Sequence, residues 1–200
     1  MGKFKPRIGE ILDFRKNKVE LIIWAFMAVV FTVSFTFVYD LLHTSNCSLA
    51  YLYGHFADFY DYNVSERGSG AIVYFPTIYI LFAVWNIPLR IMGITDITGN
   101  DTVILIWEKG LGLVFLLCVY CLIYKLAKQI TKNDNWSKNT LYVRWTGIPN
   151  FFLFSFSWGL YDTVWLAFLL AGIYLFTKVQ TKKELILGII CFAVAVTLKT

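Results

Sequence analysis

Apolar runs of fourteen to twenty-two residues recur along this 200-residue chain, at 21–39, 71–92, 103–124, 141–158, 162–177 and 185–198. A helix of about 20 apolar residues matches the ~30 Å hydrocarbon core of a bilayer. Such a helix bonds every backbone N–H and C=O within itself, which an irregular segment exposed to lipid cannot do. Hydrophobic residues make up 58% of the chain and aromatics 18%, more than a soluble core requires. The sequence therefore predicts an all-α integral membrane protein, a polytopic transmembrane helical bundle. The net charge of +5 does not point to nucleic acid, because the cations lie in patches between the runs, where topology accounts for them.

Those patches set an orientation. Residues 1–18 carry Lys3, Lys5, Arg7, Arg15, Lys16 and Lys18 against Glu10 and Asp13, so 1–20 reads as a cytoplasmic, amphipathic N-terminus. The first span, 21–39, then delivers Asp40 to the outer surface. The run 71–92 contains Pro76, Asn86 and Pro88. If it crossed, Lys125, Lys128, Lys132, Lys138 and Arg144 would all fall outside. Laid along the outer leaflet or re-entering it, 71–92 leaves 103–124 as the second span and returns those five cations to the cytoplasm. The spans 141–158, 162–177 and 185–198 follow. The expectation is a multi-pass plasma-membrane protein with residues 40–102 as one large external loop carrying interfacial helices. Because Thr200 falls at the end of a hydrophobic run, the chain is also expected to continue in a longer parent protein.

The external loop holds the candidate chemistry. Asp40, Asp58, Asp61, Glu66, Asp96 and Asp101 stand there against Arg67 and Arg90. Carboxylates gathered beside a bilayer suggest a use. Asp40, just past the end of a span, suits a general base acting on a hydroxyl; otherwise it simply ends a helix. Asp58 and Asp61 are three residues apart and would share a face of a helix. With His55 they could act as base, hold a divalent cation or bind sugar hydroxyls. Equally, Phe56, Phe59, Tyr60 and Tyr62 describe an ordinary interfacial helix with a wet polar side. Tyr74-Phe75-Pro76 marks a helix start. Lys109 is placed near the outer end of its span, to meet a lipid phosphate or to snorkel. Asp162 opens a span, where capping explains it as well as function does. Lys199 closes the last one.

The remaining motifs say little. Cys118 and Cys121 form C-x-x-C inside an apolar run with no second pair nearby, so neither a metal nor a redox role is read from them. No cofactor is implied, and no metal is indicated beyond the option at His55. The sequons at Asn46, Asn63, Asn100 and Asn135 are short enough to arise by chance.

The order of these features resembles the GT-C superfamily of polytopic glycosyltransferases, which use polyprenyl-phosphate-linked sugars. In that superfamily an Asp follows the first span, within a large first external loop, and Asp40 matches this position. Tyr74-Phe75-Pro76 is similar to a relaxed Tyr-Pro-Pro motif that leads one of the loop helices. Gly159-Leu160-Tyr161-Asp162 and Lys199 resemble a Gly-Gln-Tyr-Asp-like opening and a Lys-terminated span, with Leu160 in place of Gln. The resemblance implies inverting transfer from a polyprenyl-phosphate donor to a glycan or lipid-linked acceptor at the outer face. Asp40 would be the base, ahead of Asp58 and Asp61. His55, Tyr60, Tyr74, Lys109, Asp162 and Lys199 would bind substrate. Two other readings stand beside it. One is a non-catalytic subunit of envelope polysaccharide assembly. The other is a transporter, which would place ionisable residues within spans, whereas the expected spans gather charge at their ends.

Overall fold

The computed structural model describes residues 39–66, 68, 72, 74–97, 101–131 and 162–199, together with Ile22, Ala25, Phe26 and Val29. The amphipathic N-terminus, the span at 141–158 and all but those four and Tyr39 of the first span lie outside the described residues. Among the described residues every regular element is helical, as the apolar runs required.

The described residues of 40–102 form three helices. The first, α1 (Tyr39–Leu52), carries Asp40 in its first helical turn. An acidic side chain suits that position, where the helix dipole is positive. The buried face of α1 is small and hydroxylated, with Thr44, Ser45, Cys47 and Ser48 all at 0% exposure. Such residues let backbones approach closely. The helix ends at Gly54, whose φ of 93° is left-handed. There the Gly54 N–H bonds Tyr51 O at 3.1 Å and the His55 N–H bonds Ala50 O at 3.1 Å, a Schellman stop that glycine permits without strain. A short helix, α2 (Phe59–Ser65), folds back along α1. The Phe59 ring stacks on Tyr51 with centroids 4.3 Å apart, and Asn63 Nδ2 donates to the carbonyls of Cys47 at 3.3 Å and Phe59 at 2.9 Å.

Helix α3 (Pro76–Ile91) has Pro76 in its first turn, preceded by extended Phe75, which spends a residue without an N–H where none is needed. It stops at Gly93 (φ 84°) by the same Schellman geometry, with Ile94 N–H on Leu89 O at 3.0 Å. Helices α1 and α3 run parallel: Ser45 meets Asn86 near their middles, and Tyr53 stacks under the Arg90 guanidinium at their C-terminal ends.

Helix α4 (Thr102–Thr131) has 30 residues, about 45 Å of length. Asp101 caps it, its Oδ1 accepting from the N–H of Val103 at 2.7 Å. Its segment Thr102–Gln129 is long and apolar enough to cross a membrane. The helix continues beyond the expected end at 124, past Lys125 and Lys128. It runs parallel to α5 (Asp162–Phe176): Thr163 Oγ1 donates to Gly112 O near one end, and Gln129 Nε2 donates to Thr177 O at 2.8 Å at the other. A tight turn then leads to α6 (Lys182–Lys199). Thr181 and Glu184 form a capping box there, with Glu184 Oε2 accepting from Thr181 N–H at 3.0 Å and Thr181 Oγ1 accepting from Glu184 N–H at 3.3 Å. One apolar core joins the helices through Leu41, Tyr51, Phe59, Tyr79, Phe82, Leu111, Val164 and Leu198.

The α5–α6 hairpin closes over two glycines. A Cβ on Gly188 would stand 2.9 Å from the Phe176 ring, and one on Gly172 would stand 3.0 Å from the Phe192 ring. Gly188→Ala is therefore expected to destabilise the hairpin by about 1–3 kcal/mol, the usual range for overpacking. Pairing it with Phe176→Leu should recover most of that loss in a double-mutant cycle read by denaturant unfolding in detergent.

Candidate functional site

Three helices bring the expected residues into two separate groups. In the first, the Tyr74 hydroxyl donates to the Asp40 carboxylate, at 3.2 Å to Oδ2 and 3.5 Å to Oδ1. Tyr74 is fixed in turn by Tyr60, whose hydroxyl donates to the Tyr74 carbonyl at 2.8 Å. This places a half-buried carboxylate from α1, a tyrosine from the lead-in to α3 and a tyrosine from α2 on one face. Beneath them, Tyr74 leans on Tyr79 at 6.4 Å and Tyr79 on Phe59 at 4.9 Å. The buried Tyr79 hydroxyl has no hydrogen-bond partner. A carboxylate held by one O–H donor keeps lone pairs for a second hydroxyl, which a general base requires.

The second group lies at the other end of α1. His55 Nδ1 and Asp58 Oδ2 are 2.9 Å apart, and the His55 ring stacks on Tyr62 with centroids at 3.6 Å. Asp58 is the residue before α2 and makes no side-chain cap bond, because its carboxylate turns to His55. Asp61, in the first turn of α2, is exposed. The shared helical face expected of Asp58 and Asp61 is thus replaced by a His–Asp pair and a solvated carboxylate. About twelve residues of helix, roughly 18 Å, separate Asp40 from the end of α1 that carries His55. One hydroxyl cannot serve both groups.

The other expected residues fall elsewhere. Asp162 opens α5 and accepts from the Trp165 indole N–H at 3.0 Å, which suits its place at a positive helix end. The side chain of Lys199 lies outside the described residues. Lys109 is 2% exposed. It neither snorkels nor presents its ammonium to a lipid phosphate in this conformation, and the surface role expected of it is corrected on that ground.

What the sequence reading missed is polar and buried. Ser45, Asn86 and Glu108 are each at 0% exposure and meet where α1, α3 and α4 converge. Trp107 Nε1 donates to Asn86 Oδ1 at 3.3 Å, and Asn86 Nδ2 donates to Ser45 Oγ at 2.6 Å. Trp85 stacks on Trp107 at 4.9 Å and donates to its carbonyl. Asn86 was visible as a polar residue in an apolar run, but Glu108 was read only as the neighbour of Lys109. Its signal was the pairing of an acid and a base side by side, inside the run rather than at its edge.

No protein-family model, curated protein or solved structure matches this chain. The chemistry of the site therefore rests on its own geometry. One consequence is measurable at the His55–Asp58 pair. The hydrogen bond from His55 holds the Asp58 carboxyl below the ordinary aspartate range. Its contribution is present in full above that ordinary range and is lost as pH falls through the depressed value. In His55→Gln, Asp58 should titrate at higher pH than in the wild type, followed by carboxyl-carbon NMR of labelled protein.

Proposed function

We propose that this chain is a multi-pass membrane glycosyltransferase of GT-C type, using a polyprenyl-phosphate-linked sugar at the outer face of the plasma membrane. The observation that carries the reading is the Asp40–Tyr74 pair, an ordered carboxylate with free acceptor capacity on a tyrosine-lined face.

A membrane setting is supported by how α4 sorts its side chains. Glu108 and Lys109 point inward at 0% and 2% exposure, while Val103, Ile106, Val114 and Leu117 face outward at 36% or more. A soluble helix does the reverse; in lipid, polar groups turn to the interior and apolar ones cover the outside. Multiple passes are supported by the parallel course of α4 and α5. Two parallel neighbours are what two spans crossing in the same direction would give. This agrees with an outward span at 141–158 between two inward ones.

In the mechanism, Asp40 takes the proton of an acceptor hydroxyl as that oxygen attacks the anomeric carbon. The sugar–phosphate bond breaks on the opposite face, and the leaving phosphate keeps the electron pair, which inverts the anomeric configuration. Tyr74 orients the carboxylate and steadies its charge before the proton arrives. The aromatic face of Tyr60 and Tyr74 offers stacking surface to a sugar ring, and the His55–Asp58 pair offers hydrogen bonds to a more distant sugar unit. Asp58 and Asp61 take binding roles, since Asp58 belongs to the group at the far end of α1 and Asp61 is solvated.

A second reading, a transporter, is favoured by one observation. Glu108 and Lys109 lie six and seven residues inside α4, about 10 Å from its start, where a transporter would keep ionisable groups.

Asp40→Asn in the full protein should reduce sugar transfer from a labelled polyprenyl-phosphate donor by about 10²–10⁴-fold. Tyr74→Phe, which removes one hydrogen bond to a charged group, should cost roughly 10-fold. Wild-type turnover in Asp40→Asn would end this assignment. Topology is read separately by single cysteines at Ser65, Asp101 and Asn135 in a cysteine-free background. Labelling of the first two from outside, with Asn135 protected, is the expected pattern.

A further inference from the structure

The C-terminal ends of α4 and α5 carry a group of donors that the outer site leaves unused. Gln129 and Thr177 clasp the two helices there: Gln129 Nε2 donates to Thr177 O at 2.8 Å, and Thr177 Oγ1 donates to Gln129 Oε1 at 3.2 Å. Lys125 lies four residues before Gln129 and Tyr174 three before Thr177, so each shares a helical face with its side of the clasp. The clasp thereby brings the Lys125 Nζ to 5.5 Å from the Tyr174 ring centroid. Lys178, just past the end of α5, reaches back. Its Nζ lies 4.5 Å from the same centroid and donates to the Tyr174 hydroxyl.

Two ammoniums thus converge on one ring, and nothing beside them is negative. Neither Lys125 nor Lys178 forms a salt bridge among the described residues. The Tyr174 hydroxyl accepts from Lys178, and its own proton has no acceptor among the described residues. The carboxylate of Glu184 is occupied by the N–H of Gln180 at 2.9 Å, the N–H of Thr181 at 3.0 Å and the Thr181 hydroxyl at 3.1 Å. Lys182 and Lys183, both exposed, stand in the first turn of α6, where the helix dipole disfavours a cation. Topology places cations between spans, but it asks for them neither in a first helical turn nor around one tyrosine. Sequences break such local rules chiefly at functional sites.

Depth identifies the missing anion. The membrane-capable segment of α4 ends at Gln129, so Lys125 lies about 6 Å inside that end. On the last turn of α5, Ile173 and Phe176 remain exposed. A cation one turn inside an apolar segment sits at the level of lipid headgroups, with its stem among the acyl chains. We propose that Lys125, Lys178 and the Tyr174 O–H bind the phosphate of an anionic phospholipid of the phosphatidylglycerol type, with Lys182 and Lys183 adding long-range attraction. A phosphodiester offers only acceptors, which three donors match. The site rests on the membrane setting proposed above and not on sugar transfer.

The test is thermal unfolding of the full-length protein in mixed micelles, with phosphatidylglycerol titrated against phosphatidylcholine of the same acyl chains. A ligand that binds only the folded state raises Tm with its concentration. The wild type should show a rise that depends on phosphatidylglycerol. In the double variant Lys125→Gln, Lys178→Gln the midpoint of that rise should move at least about tenfold higher. Lys3→Gln with Lys5→Gln removes the same charge elsewhere in the sequence and should leave the midpoint unchanged. If the double variant does not fold in phosphatidylcholine, Lys178→Gln alone carries the comparison, with a shift of at least about threefold. The proposal is overturned if the two lipids give the same Tm, or if the lysine variants at 125 and 178 keep the wild-type midpoint. It is equally overturned if the control at 3 and 5 weakens binding as much, which would show diffuse attraction in place of a site. Inorganic phosphate in phosphatidylcholine micelles should do nothing; a matching rise would assign the site to soluble phosphate and remove the lipid. Recovery of the protein in the soluble fraction without detergent would instead end the membrane setting itself.

Discussion

The fold depends on the need to satisfy polar groups that have been taken out of water. Ser45, Asn86 and Trp107 belong to three different helices, and each supplies what another lacks: indole N–H to amide carbonyl, amide NH₂ to hydroxyl. In apolar surroundings an unpaired amide or hydroxyl costs several kcal/mol, whereas apolar packing alone permits sliding between helices. This set of bonds therefore fixes the register of α1 against α3 and the point where α4 crosses them. The Trp85–Trp107 stack and the close approach of Trp85 to Gly110, whose Cβ would lie 3.2 Å from the ring, lock the same junction sterically.

Everything proposed for the outer site follows from that register. With Ser45 opposite Asn86, the N-terminal ends of α1 and α3 come level, and Asp40 meets Tyr74. Asn63 holds α2 against α1 and so brings Tyr60 to the Tyr74 carbonyl. A slip of α1 by one turn would carry Asp40 about 5 Å from its partner. The same bond that secures the helix pair thus positions the candidate base, even though Ser45 and Asn86 touch neither Asp40 nor Tyr74.

The two acidic groups carried by α1 and α2 also separate for a geometric reason. A Schellman turn at Gly54 reverses the chain, so His55 and Asp58 are left at the far end of α1 while α2 runs back along it. Proximity in sequence, with Asp40, Asp58 and Asp61 in one stretch of the chain, is compatible with a single carboxylate cluster. The helix between them keeps it from being one.

Much of this architecture was legible in the chain itself, because local rules decide it. Apolar runs foretold helices, and Pro76 marked a helix start. What the sequence alone could not decide was which polar residues face one another. Asp40 and Tyr74 are 34 residues apart and Ser45 and Asn86 are 41 apart, and no periodicity connects them. Glu108 and Lys109 looked like residues near a span's edge, since a run of sequence does not say which side of a helix is covered. Only tertiary packing settles that, because burial is a property of neighbours: α1 and α3 close over α4 and turn two ordinary charged residues into the most costly groups in the core.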